Sequence, residues 1–207
     1  MSRLIVFGCS FVYGQGLPDC FQPPIMFGPE PSKMGWPNML AESLGYECLN
    51  KAVPGAGNFE ILTKLLDTDI KPSDLIIVGY SYFQRFDRYR MTDKLGNGQR
   101  IAYNSLEYKN MVVRLFGSDH YQEKNYWDNW LAIQHAELYL KSKNAKYLCF
   151  QNVTKLDAQP IPTKLISLDN FWVEGCLVKK DFGLDGQHPG IESNKSQFQT
   201  IYQKLIG

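Results

Sequence analysis

The chain has 207 residues and a mass of 23.8 kDa, the size of one large domain, and 44% of its residues are hydrophobic, enough for a sizeable core. Its 22 basic and 21 acidic residues leave a net charge of +1, which excludes a global electrostatic attraction to nucleic acid or to an anionic membrane. No apolar run approaches the roughly 20 residues of a membrane-spanning helix and no leader-like stretch opens the chain, so the expected setting is cytoplasmic, with no membrane span and no nucleic-acid partner.

The first predicted element is a buried strand over residues 3–7, a short apolar run with β-branched side chains that stops at Gly8-Cys9-Ser10. Residues 12–33 are crowded with proline and glycine and read as an extended surface loop. A helix over 36–44 has Pro37 at its start and Gly45 at its end, the usual placement of those residues. A strand at 46–50 precedes a helix at 58–66, whose expected inner face is Phe59, Leu62 and Leu66. After a strand at 75–80 comes an insertion at about 82–125, dense in tyrosine and arginine, of the length that lids and binding loops have. A long helix at 127–143, a strand at 146–151, a weaker strand at 164–168 and a helix from about 193 to 206 complete the chain. The last helix places Phe198, Ile201, Tyr202 and Leu205 on one face. Strands alternating with helices predict βαβ units, hence an α/β class with a parallel sheet covered on both faces. With no internal repeat or composition break, residues 1–207 form one expected domain.

In such sheets ligands bind beyond the carboxyl ends of the strands. Gly8-Cys9-Ser10-Phe11 follows the first strand, Asn50 to Gly55 the second, and Gly79-Tyr80-Ser81 the third, while Asp185-Gly186-Gln187-His188 lies near the C-terminus. A serine becomes a good nucleophile when a base takes its proton, and the base works best when a carboxylate fixes its tautomer. Asp185 and His188, three apart in a tight turn, can make that contact locally.

Each residue also has a plainer account. Ser10 alone suits a turn residue bonding its own backbone, and His188 before Pro189 suits a loop end. His135, near Leu131 and Leu138, suits a buried or half-buried structural histidine, and His120 has only Asp119 beside it. The five cysteines, at 9, 20, 48, 149 and 176, form no C-x-x-C pair and read as reduced thiols. Cys9 is a rival nucleophile to Ser10, although a free cysteine is more often a small buried hydrophobe. Gly8, Gly14 and Gly16 lack both the P-loop and the dinucleotide spacing, which disfavours nucleotide binding. No metal or organic cofactor is implied.

Together the four blocks resemble those of the SGNH hydrolases, also called the GDSL family of serine esterases and lipases. The resemblance implies Ser10 as nucleophile, His188 as base and Asp185 as its orienting carboxylate. It implies an oxyanion hole from the N–H groups of Ser10 and Gly55 with Ser81, and a flavodoxin-like sheet in a three-layer α/β/α domain. Cys9 stands where the family carries aspartate, and Ser81 where it carries asparagine. The implied activity is removal of an acyl group, most simply acetyl, from a small-molecule or glycan oxygen ester. Acyl transfer to a second alcohol and a catalytically reduced glycan-binding module are the alternatives. Beside the nucleophile, residues 80–90 crowd rings against arginines. They read either as an amphipathic helix packing its rings on the core, or as a wall where Tyr80 and Tyr82 stack on a sugar and Arg85 holds an anion.

Overall fold

The computed structural model describes residues 2–24, 26–83, 85–91, 98–103, 113–114, 117–154, 160–161, 170–172 and 177–207. Strand β1 (Arg3–Gly8) runs into a single helical turn, α1 (Ser10–Tyr13). Helix α2 (Trp36–Leu44) leads to β2 (Glu47–Asn50), and α3 (Asn58–Leu66) leads to β3 (Leu75–Tyr80). A two-stranded antiparallel ribbon, β4 (Phe86–Met91) with β5 (Gly98–Tyr103), precedes α4 (Ser118–Ser142) and β6 (Lys146–Gln151). A two-residue strand, β7 (Phe171–Trp172), and α5 (Ile191–Ile206) follow.

The sheet order is β2-β1-β3-β6-β7, every pairing parallel, so all carboxyl ends lie at one edge. Side chains alternate between two cores, as period two requires. Ile5 and Phe7 of β1, Ile76 and Val78 of β3 and Cys149 of β6 pack with Ile61 and Leu65 of α3 and Trp130 and Ile133 of α4. Leu4 and Val6, Ile77, and Phe150 pack with Trp36 and Leu40 of α2 and Ile201 of α5. This is the expected three-layer α/β/α arrangement.

Several elements differ from expectation. Residues 86–91 form a strand and not an amphipathic helix, because the ribbon partner at Gly98–Tyr103 satisfies their backbone groups across the chain. Helix α4 begins at Ser118, well before 127, since its first turns are polar: Lys124 pairs with Asp128 at the surface, a pattern apolar periodicity does not register. Helix α3 turns Asn58, Ile61, Leu62 and Leu65 inward and leaves Phe59 and Leu66 exposed. The predicted strand at 164–168 lies outside the described residues, and the fifth strand sits at β7. His135 is exposed, not buried, because it falls on the outer face of α4 beside exposed Leu131 and Leu138. Cys9, Cys20, Cys48 and Cys149 are free thiols, while Cys176 lies outside the described residues.

Candidate active site

At the end of β1, Gly8 has no side chain where a Cβ would stand 2.2 Å from Val12 Cγ2 and 2.9 Å from Gly79 O. That close approach lets the chain turn at once into α1, with Cys9 as N-cap and Ser10 as the first helical residue. The N–H of a first helical residue has no acceptor within its helix. Neither the Ser10 nor the Gly55 N–H bonds another described residue. Cys9 itself is fully buried in the apolar cluster on the α3 and α4 side, the setting of a packing residue.

Ser10 Oγ lies 2.9 Å from His188 Nε2, and His188 Nδ1 lies 2.6 Å from Asp185 Oδ2. Asp185 Oδ1 accepts the backbone N–H groups of Gln187 and His188, both at 3.0 Å. An ionised carboxylate has no proton to give, so Nδ1 carries the imidazole proton and Nε2 is left to accept from the serine hydroxyl. Burial pushes the Asp185 carboxyl up, but its hydrogen bonds from His188 and Gln187 outweigh this and hold it below the usual carboxylate range. His188 is pushed below its ordinary value, first by burial and further by the charges of Arg85 and Lys179, against the opposing pull of Asp185.

The Asp185–His188 turn is pinned from three sides. The N–H of Leu184 donates to Gly16 O at 2.7 Å, and the N–H of Gly183 donates to His188 O at 2.8 Å. Gly16, in the left-handed region at φ 86°, lies so close that a Cβ would stand 2.8 Å from Asp185 Oδ1. The N-cap of α5 is Gly190, which has no capping side chain; Asp181 supplies the cap from outside, accepting the N–H groups of Glu192 and Ser193 at 3.1 and 2.8 Å.

The second block ties the same edge together. Asn50 Nδ2 donates to Val12 O at 2.8 Å, and the N–H of Val53 donates to Gly8 O at 3.0 Å. Gly55 lies in the following turn at φ 80°. Ser81 is buried, and its Oγ has no hydrogen-bond partner among the described residues. Its backbone is clamped by Asn58, whose Oδ1 accepts the Ser81 N–H at 2.7 Å while Nδ2 donates to Ser81 O at 3.3 Å and to Asn129 Oδ1 at 2.6 Å. Asn129 Nδ2 donates in turn to Phe83 O and Asn125 O. Sequence reading missed this pair; the available signal was a polar residue heading the inner face of α3.

Tyr80 is fully buried, stacked on Phe171 at 6.3 Å in the core, so it is not a substrate contact. The period-two alternation of β3 turns it onto the α3 and α4 side. Tyr82 is half-buried, edge-on to Phe11 at 5.9 Å, and Phe11 is edge-on to the His188 ring at 5.5 Å. Arg85 sits over the Tyr82 ring at 5.8 Å and donates to Ala56 O at 3.4 Å. Lys179, not singled out in the sequence, sits over Phe11 at 5.5 Å and over Phe182 at 5.6 Å. His120 lies in the first turn of α4, its side chain outside the described part of the structure. Among the described residues no group of three or more His, Cys, Asp or Glu side chains is placed to hold a metal ion, and no helix is long and apolar enough to cross a membrane.

Sequence comparison finds no matching family model and no matching curated protein. Solved structures do match. A carbohydrate esterase whose active site displays divergent catalytic and non-catalytic binding functions superposes with a TM-score of 0.61 at 14% identity, over 98% of this chain and 68% of its own. The acetyl xylan esterase Est2A from the rumen bacterium Butyrivibrio proteoclasticus gives 0.58 at 14% identity, over 98% of this chain and 63% of its own, so this chain spans under two thirds of Est2A. Est24, a carbohydrate acetylesterase from Sinorhizobium meliloti, gives 0.51 at 13% identity over 99% and 98% of the two chains. At these identities the likeness is one of architecture, and the architecture is the SGNH hydrolase fold, also called the GDSL fold.

Proposed function

We propose that this protein is a serine esterase that hydrolyses an acyl oxygen ester, most simply an acetyl ester on a carbohydrate. The observation that carries this reading is the continuous chain Ser10 Oγ, His188 Nε2, His188 Nδ1, Asp185 Oδ2, with contacts of 2.9 and 2.6 Å. Ser10 Oγ attacks the carbonyl carbon as its proton passes to His188 Nε2, and Asp185 stabilises the imidazolium. The carbonyl oxygen, now anionic, is met by the N–H groups of Ser10 and Gly55. His188 then gives its proton to the departing alcohol, leaving an acyl group on Ser10. Water attacks that acyl group, its proton passes to His188 and on to Ser10 Oγ, and the acid leaves.

Ser81 favours a second reading. Its hydroxyl is buried and bonds no described residue where the family places an asparagine amide, and loss of one oxyanion donor lowers turnover by about 100- to 1000-fold. A reduced, glycan-binding module is therefore the competing reading. The two separate in one assay with a short-chain aryl acetate. The esterase reading expects hydrolysis that Ser10→Ala and His188→Ala each remove, with the double variant little worse than either, because losses within a triad are not additive. Cys9→Ala should keep activity. No turnover at high enzyme concentration, or turnover that survives Ser10→Ala, overturns it.

A further inference from the structure

We infer that the substrate of this site carries an anionic group, a carboxylate or a phosphate, close to its ester, held between Arg85 and Lys179. The inference rests on the esterase reading and narrows its substrate class. Phe11, the residue after the nucleophile, is the reference point. Its ring meets the His188 ring edge-on at 5.5 Å and the Tyr82 ring edge-on at 5.9 Å. Arg85 lies over Tyr82 on one side, 5.8 Å from that ring, and Lys179 lies over Phe11 itself at 5.5 Å. One cation thus lies over Phe11, the ring that abuts the catalytic base, and a second lies over Tyr82, the ring that Phe11 meets edge-on.

Neither has a carboxylate partner among the described residues, unlike Arg3, Lys124, Lys141 and Lys195, which pair with Asp74, Asp128, Glu137 and Glu192. Arg85 offers five N–H donors in a planar fork, and one of them makes a long 3.4 Å bond to Ala56 O. Lys179 Nζ donates to Gln187 O at 3.3 Å. The nearby acid, Asp185, makes no ion pair with either: its buried carboxylate is engaged by His188 and two backbone N–H groups. Two cations over aromatic faces, half-buried Arg85 and exposed Lys179, neither in an ion pair among the described residues, offer donors to a planar or tetrahedral anion. The field of both cations reaches the His188 ring, consistent with their standing on the same side of the site as the reacting atoms. An anion bound there would also relieve that field, so binding and base strength would rise together.

The test uses matched aryl acetates: 3-acetoxybenzoate, 3-acetoxyphenyl phosphate, neutral 3-acetoxybenzamide and the cationic 3-acetoxy-N,N,N-trimethylanilinium. Each kcat/KM is divided by the ester's own hydroxide-catalysed rate, which removes leaving-group differences. The expected result is a preference of roughly tenfold or more for an anionic over the neutral ester, a fold-change equivalent to about 1.4 kcal/mol. It should collapse in the double variant Arg85→Gln/Lys179→Gln, reverse toward the cationic ester in Arg85→Glu/Lys179→Glu, weaken with added salt and survive unchanged in the surface control Lys195→Gln. The ratio of the benzoate to the phosphate then tells a carboxylate-bearing substrate from a phosphate-bearing one. Ser10-dependent hydrolysis that ignores charge, or a preference that outlives the glutamate variant, overturns the inference and leaves the esterase reading standing. Absence of any Ser10-dependent hydrolysis overturns both.

Discussion

Gly16→Ala isolates the part of the site that the structure makes most specific. A Cβ at residue 16 would stand 2.8 Å from Asp185 Oδ1 and 2.9 Å from its Cγ, where ordinary contact begins at 3.4 Å, so the carboxylate must retreat by about 0.6 Å. It has little freedom to do so, because it is held by the N–H groups of Gln187 and His188 and by the His188 ring. The retreat therefore passes to the imidazole, whose Nε2 sits 2.9 Å from Ser10 Oγ. Displacements approaching 1 Å in a catalytic array cost up to about 100-fold in rate, so a fall in kcat of roughly 10- to 100-fold is expected. The substitution also forces alanine into the left-handed region, which costs about 1–2 kcal/mol and about 2–8 °C in Tm for a chain of this size. Gly45→Ala separates the two effects. Gly45 ends α2 at φ 67° with nothing within 4 Å of its would-be Cβ, so it carries the backbone cost alone. Thermal unfolding and aryl acetate hydrolysis of both variants, side by side, decide the matter. Comparable losses of Tm with activity lost only in Gly16→Ala are expected. If Gly16→Ala retains activity within about twofold of Gly45→Ala at equal stability, Gly16 does not set the Asp185–His188 geometry and the reasoning fails.

The remaining predictions concern pH and the amide clamp. The acid limb of kcat/KM should have its midpoint below 6.5, because burial and two cations lower the His188 pKa and the neutral imidazole is the working base; Lys179→Gln should move that midpoint upward. By the same shift the folded protein binds fewer protons than the unfolded chain just below pH 6.5, so His188 makes stability rise with pH across that window, and His188→Gln should flatten the slope of Tm against pH there. Asn58→Ala should cost about 1–3 kcal/mol by leaving the buried Ser81 N–H without its acceptor, and thermal unfolding of the Asn58/Asn129 double-mutant cycle should show clear non-additivity.

Strands and their helices were legible because each buried strand is a continuous apolar run, and because Pro37 and Gly45 mark α2 so directly. That Ser10, Gly55 and Ser81 share one edge was legible for a topological reason: all three follow strands, and parallel strands bring every post-strand turn to the same edge. What escaped the sequence depends on pairings across distance. The ribbon of β4 and β5 exists only because two segments meet, and α3 rotates toward Asn58 because Ser81 and Asn129, 23 and 71 residues away, supply its partners. Tyr80 belongs by sequence to the stretch of rings and arginines after the third strand, whereas it is still the last residue of β3 and strand alternation turns it into the core. Lys179 gave no signal at all, since a lysine in a polar loop acquires meaning only from the Phe11 ring beneath it.

The two departures from the family pattern fall where the backbone has other supports. Cys9 is packed in the apolar core and makes no cap bond, yet the turn it begins is held by Asn50 on Val12 O and by Val53 on Gly8 O. Ser81 lacks an amide, yet Asn58 grips its N–H and carbonyl from the far side. Asn50 and Asn58 lie on either side of Gly55 in the chain, so the segment bearing Gly55 is strung between the Ser10 turn and the Ser81 turn by side-chain amides whose bonds go to backbone groups and to the Asn129 amide. Such bonds set where N–H groups stand without offering a donor to a developing oxyanion. On the esterase reading, then, the serine at 81 removes transition-state stabilisation while leaving the scaffold in place, and its cost belongs in kcat rather than in Tm.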